Sequence, residues 1–188
     1  VKSGIDYIDS ALGGEGFTPS AVTFFTGTPG AGKTTIMFHL CCLISDEYVV
    51  NYIHADTNPG DAKDYYERAW KHGVNYATPD MVVGKSMEDV MNFLRAKANG
   101  AEELYDQVFV IDTLKKTANM IDKDNLKKAT QTFRKLSSRG ATLLLLGHTN
   151  KHKNNEGDFV FEGTQDLRAD VDEMIFLIPH KEPDGSLL

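Results

Sequence analysis

Two cysteines in 188 residues, Cys41 and Cys42, leave no material for a disulfide framework. They are adjacent within a helical pattern, where neighbours point in different directions, so both are expected as reduced core residues of a cytoplasmic protein. No run approaches the roughly 20 apolar residues that a bilayer-spanning helix needs, so no membrane partner is expected. Cysteine and histidine nowhere fall at metal-ligand spacing. Positive charge is also scarce: 20 Lys and Arg stand against 27 Asp and Glu, a net of −7. Overall charge therefore does not draw the chain to polyanions.

The positive charge that exists is concentrated. Residues 113–153 contain Lys115, Lys116, Lys123, Lys127, Lys128, Arg134, Lys135, Arg139, Lys151 and Lys153, opposed only by Asp122 and Asp124. That segment carries +8 and the remainder −15. Such asymmetry can present one face to an anionic partner, although a solvated helix face explains Lys127, Lys128, Arg134 and Lys135 about as well.

Hydrophobic content of 41% with 25% charged residues describes an ordinary globular domain. Residues 1–188 are expected to form a single domain; because the chain opens on Val1, it is expected to be a fragment of a longer protein. Strand-like apolar runs at 21–26, 48–54, 81–83, 107–112, 141–147 and 173–178 alternate with helical patterns at about 33–45, 60–72, 86–99 and 123–139. Near-continuous apolar runs suit strands covered on both faces, hence a three-layer α/β fold with a mostly parallel central sheet. Gly73, Gly100 and Gly140 stand where helices should end, and Asp61, Ser86 and Asp122 where they should begin.

The most specific pattern is Gly27-Thr28-Pro29-Gly30-Ala31-Gly32-Lys33-Thr34, followed by Thr35. It fits G-x-x-x-x-G-K-[ST] between an apolar strand run and a helical run, the setting a phosphate-binding loop requires. Helix N-terminal amides and the helix dipole attract phosphate, and glycines let the backbone curl around it. Lys33 is expected to reach the β- and γ-phosphates and the Thr34 hydroxyl to bind Mg²⁺. Asp112 closes the apolar run Val108-Phe109-Val110-Ile111 and so is expected to act as the second Mg²⁺ acid. His148, after the run 141–147, could contact the γ-phosphate, and Asp56, after Tyr52-Ile53-His54-Ala55, could polarise an attacking water. Asn150-Lys151-His152-Lys153 nearly matches the guanine-reading N-K-x-D pattern, but a lysine cannot accept from guanine, so ATP is expected. A small-molecule phosphotransferase would need an arginine-rich lid, and Arg68, Arg95, Arg134, Arg139 and Arg168 are scattered.

Ser3-Gly4-Ile5-Asp6-Tyr7-Ile8-Asp9-Ser10-Ala11-Leu12-Gly13-Gly14 before the loop resembles the entry to RecA-like P-loop ATPase cores. Gly147-His148-Thr149-Asn150-Lys151, then Gly163-Thr164-Gln165-Asp166-Leu167 leading to Asp172, is similar to the RepA-type hexameric replicative helicase branch. The resemblance covers essentially the whole chain. It implies an ATP-hydrolysing motor domain of a helicase or primase–helicase, working as a homo-oligomeric ring of six on single-stranded DNA. Gly27, Thr28, Pro29, Gly30, Ala31, Gly32, Lys33, Thr34 and Thr35 would cradle ATP, with Asp112 and Thr34 on Mg²⁺, and His148 would be the γ-phosphate sensor. Asp56 occupies the place of a catalytic glutamate, one methylene shorter; Asp64 or Glu67 could substitute. Lys115, Lys116, Lys151 and Lys153 would face DNA from two loops. Arg168 is a candidate trans-acting finger or a partner of Asp166, Asp170 or Asp172. The alternative of another class is a RadA- or KaiC-like regulatory or recombination ATPase acting through protein partners. A non-hydrolysing nucleotide scaffold is a further alternative.

Overall fold

The computed structural model describes residues 1–79, 81, 86–114, 123–149 and 165–179. Six strands form one sheet: β1 (Val22–Gly27), β2 (Val49–His54), β3 (Asn75–Ala77), β4 (Gln107–Asp112), β5 (Thr142–His148) and β6 (Glu173–Leu177). Their order across the sheet is β3-β2-β4-β5-β1-β6, and every pair is parallel. Helices given in full by the described residues are α1 (Asp6–Ala11), α2 (Lys33–Ile44), α3 (Pro59–His72), α4 (Met87–Asn99), α5 (Lys123–Ser138) and α6 (Gln165–Asp170). None of the described helices is long and apolar enough to cross a membrane.

Alternation along each strand divides the core in two. Phe24, Phe109, Ile111, Leu143 and Leu145 point to one face, where they meet Leu94 of α4 and Leu126, Phe133 and Leu136 of α5. Phe25, Val108, Val110, Leu144 and Leu146 point to the other, against Met37, Phe38, Leu40 and Cys41 of α2. Both faces are covered, which is why these strands read as apolar runs without polar alternation. Each fully buried Phe or Leu contributes about 1.5–3 kcal/mol relative to exposure. Cys41 and Cys42 are free and buried in this second layer, and burial pushes both thiols upward, Cys41 most.

Helix ends follow local chemistry. The Asn58 side chain accepts from the Gly60 and Asp61 amides at 3.0 and 3.1 Å, Pro59 opens α3, and Gly73 closes it at φ 69°. Ser86 and Asp89 form a reciprocal capping box on α4. Asp61 is thus a first-turn acid behind the true cap, and Asp122 lies outside the described residues.

Of the expected strand at 81–83, Met81 is in a turn and the other two residues lie outside the described ones. Just before it, the three-residue edge strand β3 pairs with β2. Its sequence, Asn-Tyr-Ala, has one half-buried residue between two exposed ones, so no apolar run announced it. Helices α1 and α6 have six residues each, too short for a helical period to show.

Asp172 fastens β6 to the remainder of the sheet. Its Oδ2 accepts from the Val22 amide at 2.7 Å, its Oδ1 from Arg134 Nη1 at 2.6 Å, and its own amide donates to the Val22 carbonyl at 2.9 Å. Asp170 accepts from Thr130 Oγ1 at 2.9 Å. Asp170 is therefore engaged by α5 and Asp172 by α5 and β1, and of the three acids considered for Arg168, Asp172 is held by Arg134 instead. Burial alone would raise the Asp172 pKa, but the Arg134 and Val22 hydrogen bonds and the Arg134 charge hold it below the usual 3.8. A carboxyl whose folded pKa is depressed stabilises the fold above its unfolded pKa and loses that contribution as pH falls through the folded value. Asp172→Asn should therefore be less stable than the parent at pH 7, and the gap should close below about pH 4. Urea midpoints measured from pH 7 to pH 2.5 check this; parallel curves would contradict it.

Candidate active site

The carboxyl ends of β1, β4 and β5 converge on one corner of the sheet, where open α/β folds bind ligands. Strand β1 delivers Gly27, which is in register with His148 of β5 and Leu177 of β6. A Cβ on Gly27 would lie 2.6 Å from the Leu177 carbonyl oxygen, so close strand approach demands glycine here. Gly30 and Gly32 have φ of 80° and 81°, left-handed values that cost an L-residue roughly 1–2 kcal/mol.

Gly32 is the N-cap of α2 and offers no side chain, and the first turn of α2 carries no acid. The leading amides of a 12-residue helix thus lack both an intrahelical and a capping acceptor, which makes this terminus suited to an anion. Lys33, the first helical residue, is only 6% exposed. Its Nζ donates to the Gly27 and Thr28 carbonyls, both at 2.9 Å. Burial lowers its pKa and the negative charge of Asp112 opposes that shift. The Gly27 carbonyl also accepts from the Thr149 amide at 3.2 Å, tying the residue after β5 to the same loop. Thr34 is half-buried, and Thr28 likewise; Pro29 and Thr35 are exposed, and Ala31 is buried.

Asp112 ends β4 and is 1% exposed. Tyr52 of β2 donates its hydroxyl to Asp112 Oδ2 at 2.7 Å, and His54 Nε2 lies 3.8 Å from the same oxygen. His54 Nδ1 is 2.8 Å from the Tyr76 hydroxyl of β3. These groups sit in an aromatic cluster in which Phe38 meets Tyr65, Tyr52 and Tyr76 edge-on at 4.7, 5.3 and 5.9 Å. Burial, then the Asp112 charge, drives the Tyr52 phenol well above its ordinary pKa, so it remains a donor. Burial lowers the His54 pKa against the pull of Asp112, Asp56 and Asp61.

The donor set suits a phosphate with a hard divalent cation. It holds a buried ammonium, unsatisfied helix amides, a buried carboxylate and threonine hydroxyls. Two of those hydroxyls, Thr26 Oγ1 and Thr149 Oγ1, are buried with no hydrogen-bond partner among the described residues, and they flank Gly27. A cleft of about 640 Å³ beside β3, lined by Tyr66, Trp70, Tyr76 and Phe93 among others, has no cationic side chain among its described lining residues.

The structure therefore brings together Gly27 through Thr35, Asp112 and His148. Asp56 is exposed, two residues beyond the end of β2, and Asp64 and Glu67 are exposed on α3. Lys115, Lys116, Lys151 and Lys153 lie outside the described residues. Tyr52, His54 and Tyr76 were not anticipated around Asp112. Their signal was the inward position of Tyr52 and His54 on an apolar strand, since a buried aromatic with a polar tip needs a partner.

No family model matches the sequence. Three curated proteins named DNA repair protein RadA are each 24% identical to it. The Salmonella typhimurium protein aligns over 179 residues, 91% of this chain and 36% of that protein. The Haemophilus influenzae protein aligns over 169 residues, 86% and 34%, and the Escherichia coli protein over 179 residues, 91% and 36%. The chain thus spans about a third of the length of these relatives. Among solved structures, the RadB recombinase superposes with a TM-score of 0.66 over 97% of this chain and 84% of that one, at 16% identity. The fold is RecA-like. The expected three-layer architecture is thereby met, with a sheet that is parallel throughout. The RepA-type helicase branch finds no counterpart among these relatives.

The Tyr52–Asp112 hydrogen bond is open to a double-mutant cycle. Tyr52→Phe should cost about 1–3 kcal/mol in a background with Asp112 intact, because a buried carboxylate loses a donor. With Asp112→Ala the same change should cost much less, giving a coupling of at least about 1 kcal/mol from urea midpoints. Strict additivity would rule the bond out as a stabilising contact.

Proposed function

We propose that this domain binds ATP with Mg²⁺ and hydrolyses it, as the ATPase core of a DNA-directed recombination or repair protein. The observation that carries the reading is Lys33: a buried ammonium at an acid-free helix N-terminus, within the electrostatic reach of a buried carboxylate at the end of β4. The RecA-like fold and the likeness to RadA proteins support the DNA-directed part. They favour the recombination alternative over a replicative helicase.

In this reading the amides of Thr28 and of residues 30–35 hold the phosphates, and Lys33 exchanges the Gly27 and Thr28 carbonyls for phosphate oxygens. Thr34 and Asp112 hold the metal, and bound Mg²⁺ supplies neutralisation of phosphate charge. Tyr52 fixes the Asp112 carboxylate by hydrogen bonding one of its oxygens. Asp56 accepts a proton from the attacking water or orients it from the exposed end of β2. His148, level with Gly27, reports the state of the phosphate to the segment after β5. Lys115, Lys116, Lys151 and Lys153 contact DNA phosphates, the working unit is a homo-oligomeric ring, proposed as six subunits, and the protein acts in the cytoplasm.

Steady-state ATP hydrolysis with and without single-stranded DNA tests this. Lys33→Ala should lower turnover by at least about 100-fold, the scale of losing one preorganised charge at a reacting centre. DNA should raise the rate of the parent protein. Hydrolysis that survives Lys33→Ala would refute the assigned site, and a rate indifferent to DNA would refute the DNA-directed role. A duplex-unwinding assay tests the helicase branch: ATP-dependent opening of a forked duplex would restore it.

A further inference from the structure

The basic side chains on and just after α4 and α5 include a committed group and a group that lines a groove. Arg134 is committed to Asp172, Arg139 donates to the Lys97 and Glu102 carbonyls, and Lys97 pairs with Glu102 at 3.9 Å. Arg95, Lys128 and Lys135 have no carboxylate partner among the described residues. Arg95 donates to Asn92 Oδ1 at 2.8 Å, and Lys135 to Asn99 Oδ1 at 3.3 Å. These three cations line one groove of about 450 Å³ between the helices, together with Ala98, Asn99, Gln131 and Thr132. No acidic side chain is among the described residues of that lining. Glu88 and Asp124 stand in the first turns of α4 and α5, two turns before Arg95 and one before Lys128.

We propose that this groove is a nucleic-acid contact separate from the nucleotide site, holding the phosphodiester backbone of a single strand. Lys128 and Lys135 are seven residues apart on one helix face, so their Cα atoms are separated by about 10 Å along the axis. A lone phosphate meets one of them; a polyanion with regularly repeated charge meets both and Arg95 across the groove. Asn99 and Gln131 add amide donors between the cations, the mixture that contacts phosphate and sugar oxygens without reading sequence. The groove is a concave channel between two helices, which fits a strand better than a flat membrane surface. This contact does not rest on the ATPase reading: it lies on the outer face of α4 and α5 and requires no nucleotide.

The test is fluorescence anisotropy of the chain with a labelled oligothymidylate, without nucleotide, over a salt series. Arg95→Ala/Lys128→Ala/Lys135→Ala should weaken binding at least tenfold and reduce the log–log salt slope by about two, as expected for three lost phosphate contacts on a single strand. Lys2→Ala/Lys63→Ala/Lys71→Ala, which removes the same charge elsewhere, should change affinity less than threefold. Circular dichroism melting of both triple variants checks that they fold; these exposed or half-exposed positions should leave it unmoved. Unchanged affinity in the groove variant, an equal loss in the control, or no binding by the parent protein would each overturn the proposal. Displacement of the oligonucleotide by poly-aspartate as readily as by unlabelled DNA of equal charge would also overturn it, and would assign the groove to an acidic protein. Loss of ATP hydrolysis with this binding intact would defeat the ATPase reading alone.

Discussion

A buried ammonium is costly unless oxygen atoms surround it, and the corner of the sheet around Lys33 is organised to supply them. Two come from its own loop, from Gly27 and Thr28. The charge of Asp112, two strands away in the sheet, offsets the burial cost further. This requirement couples distant parts of the chain. The loop must turn back on itself, which needs left-handed backbone at Gly30 and Gly32. Gly27 must lie flush between β5 and β6, and β4 must end where its acid can be felt. The six-stranded parallel sheet is the frame that keeps those strand ends level.

Asp112 shows the complementary case of a buried anion. Its surroundings are not a row of cations but a Tyr–Asp–His–Tyr chain inside an aromatic cluster that runs from β4 through β2 to the edge strand β3. Such a chain orients the carboxylate with one neutral donor, the Tyr52 hydroxyl, and leaves its negative charge available to a cation. It also makes the site's acid dependent on how β2 and β3 pack against α2 and α3, through rings that contact Phe38.

Legibility in the sequence followed length and repetition. The glycine–lysine loop, the apolar strands and the four long helices were readable because each repeats one physical demand over many residues. Asp112 was readable because it terminates such a run. What stayed hidden was short or was decided by tertiary partners. Strand β3 carries three residues on an edge, α1 and α6 carry six each, and the engagement of Asp172 by Arg134 joins residues 38 apart in sequence. The partners of Asp112 were hidden for the same reason: Tyr52 is 60 residues away, and nothing local marks its hydroxyl as directed at an acid. The split of the basic segment into committed and available cations likewise needed the packing of α4 on α5. Composition alone left Arg134 and Lys128 equivalent.

The placement of Cys41 and Cys42 has a practical side. Both lie in the layer between α2 and the sheet, with thiols that burial keeps protonated. A protonated thiol packed among Met37, Phe38 and Leu40 is a poor nucleophile toward maleimides and a poor target for peroxide. In the folded domain Cys41, which is fully buried, should label far more slowly than a cysteine introduced on the surface, with Cys42 intermediate. A dye or spin label on such an introduced cysteine would report chiefly from that position, with no need to disturb the helix that carries Lys33.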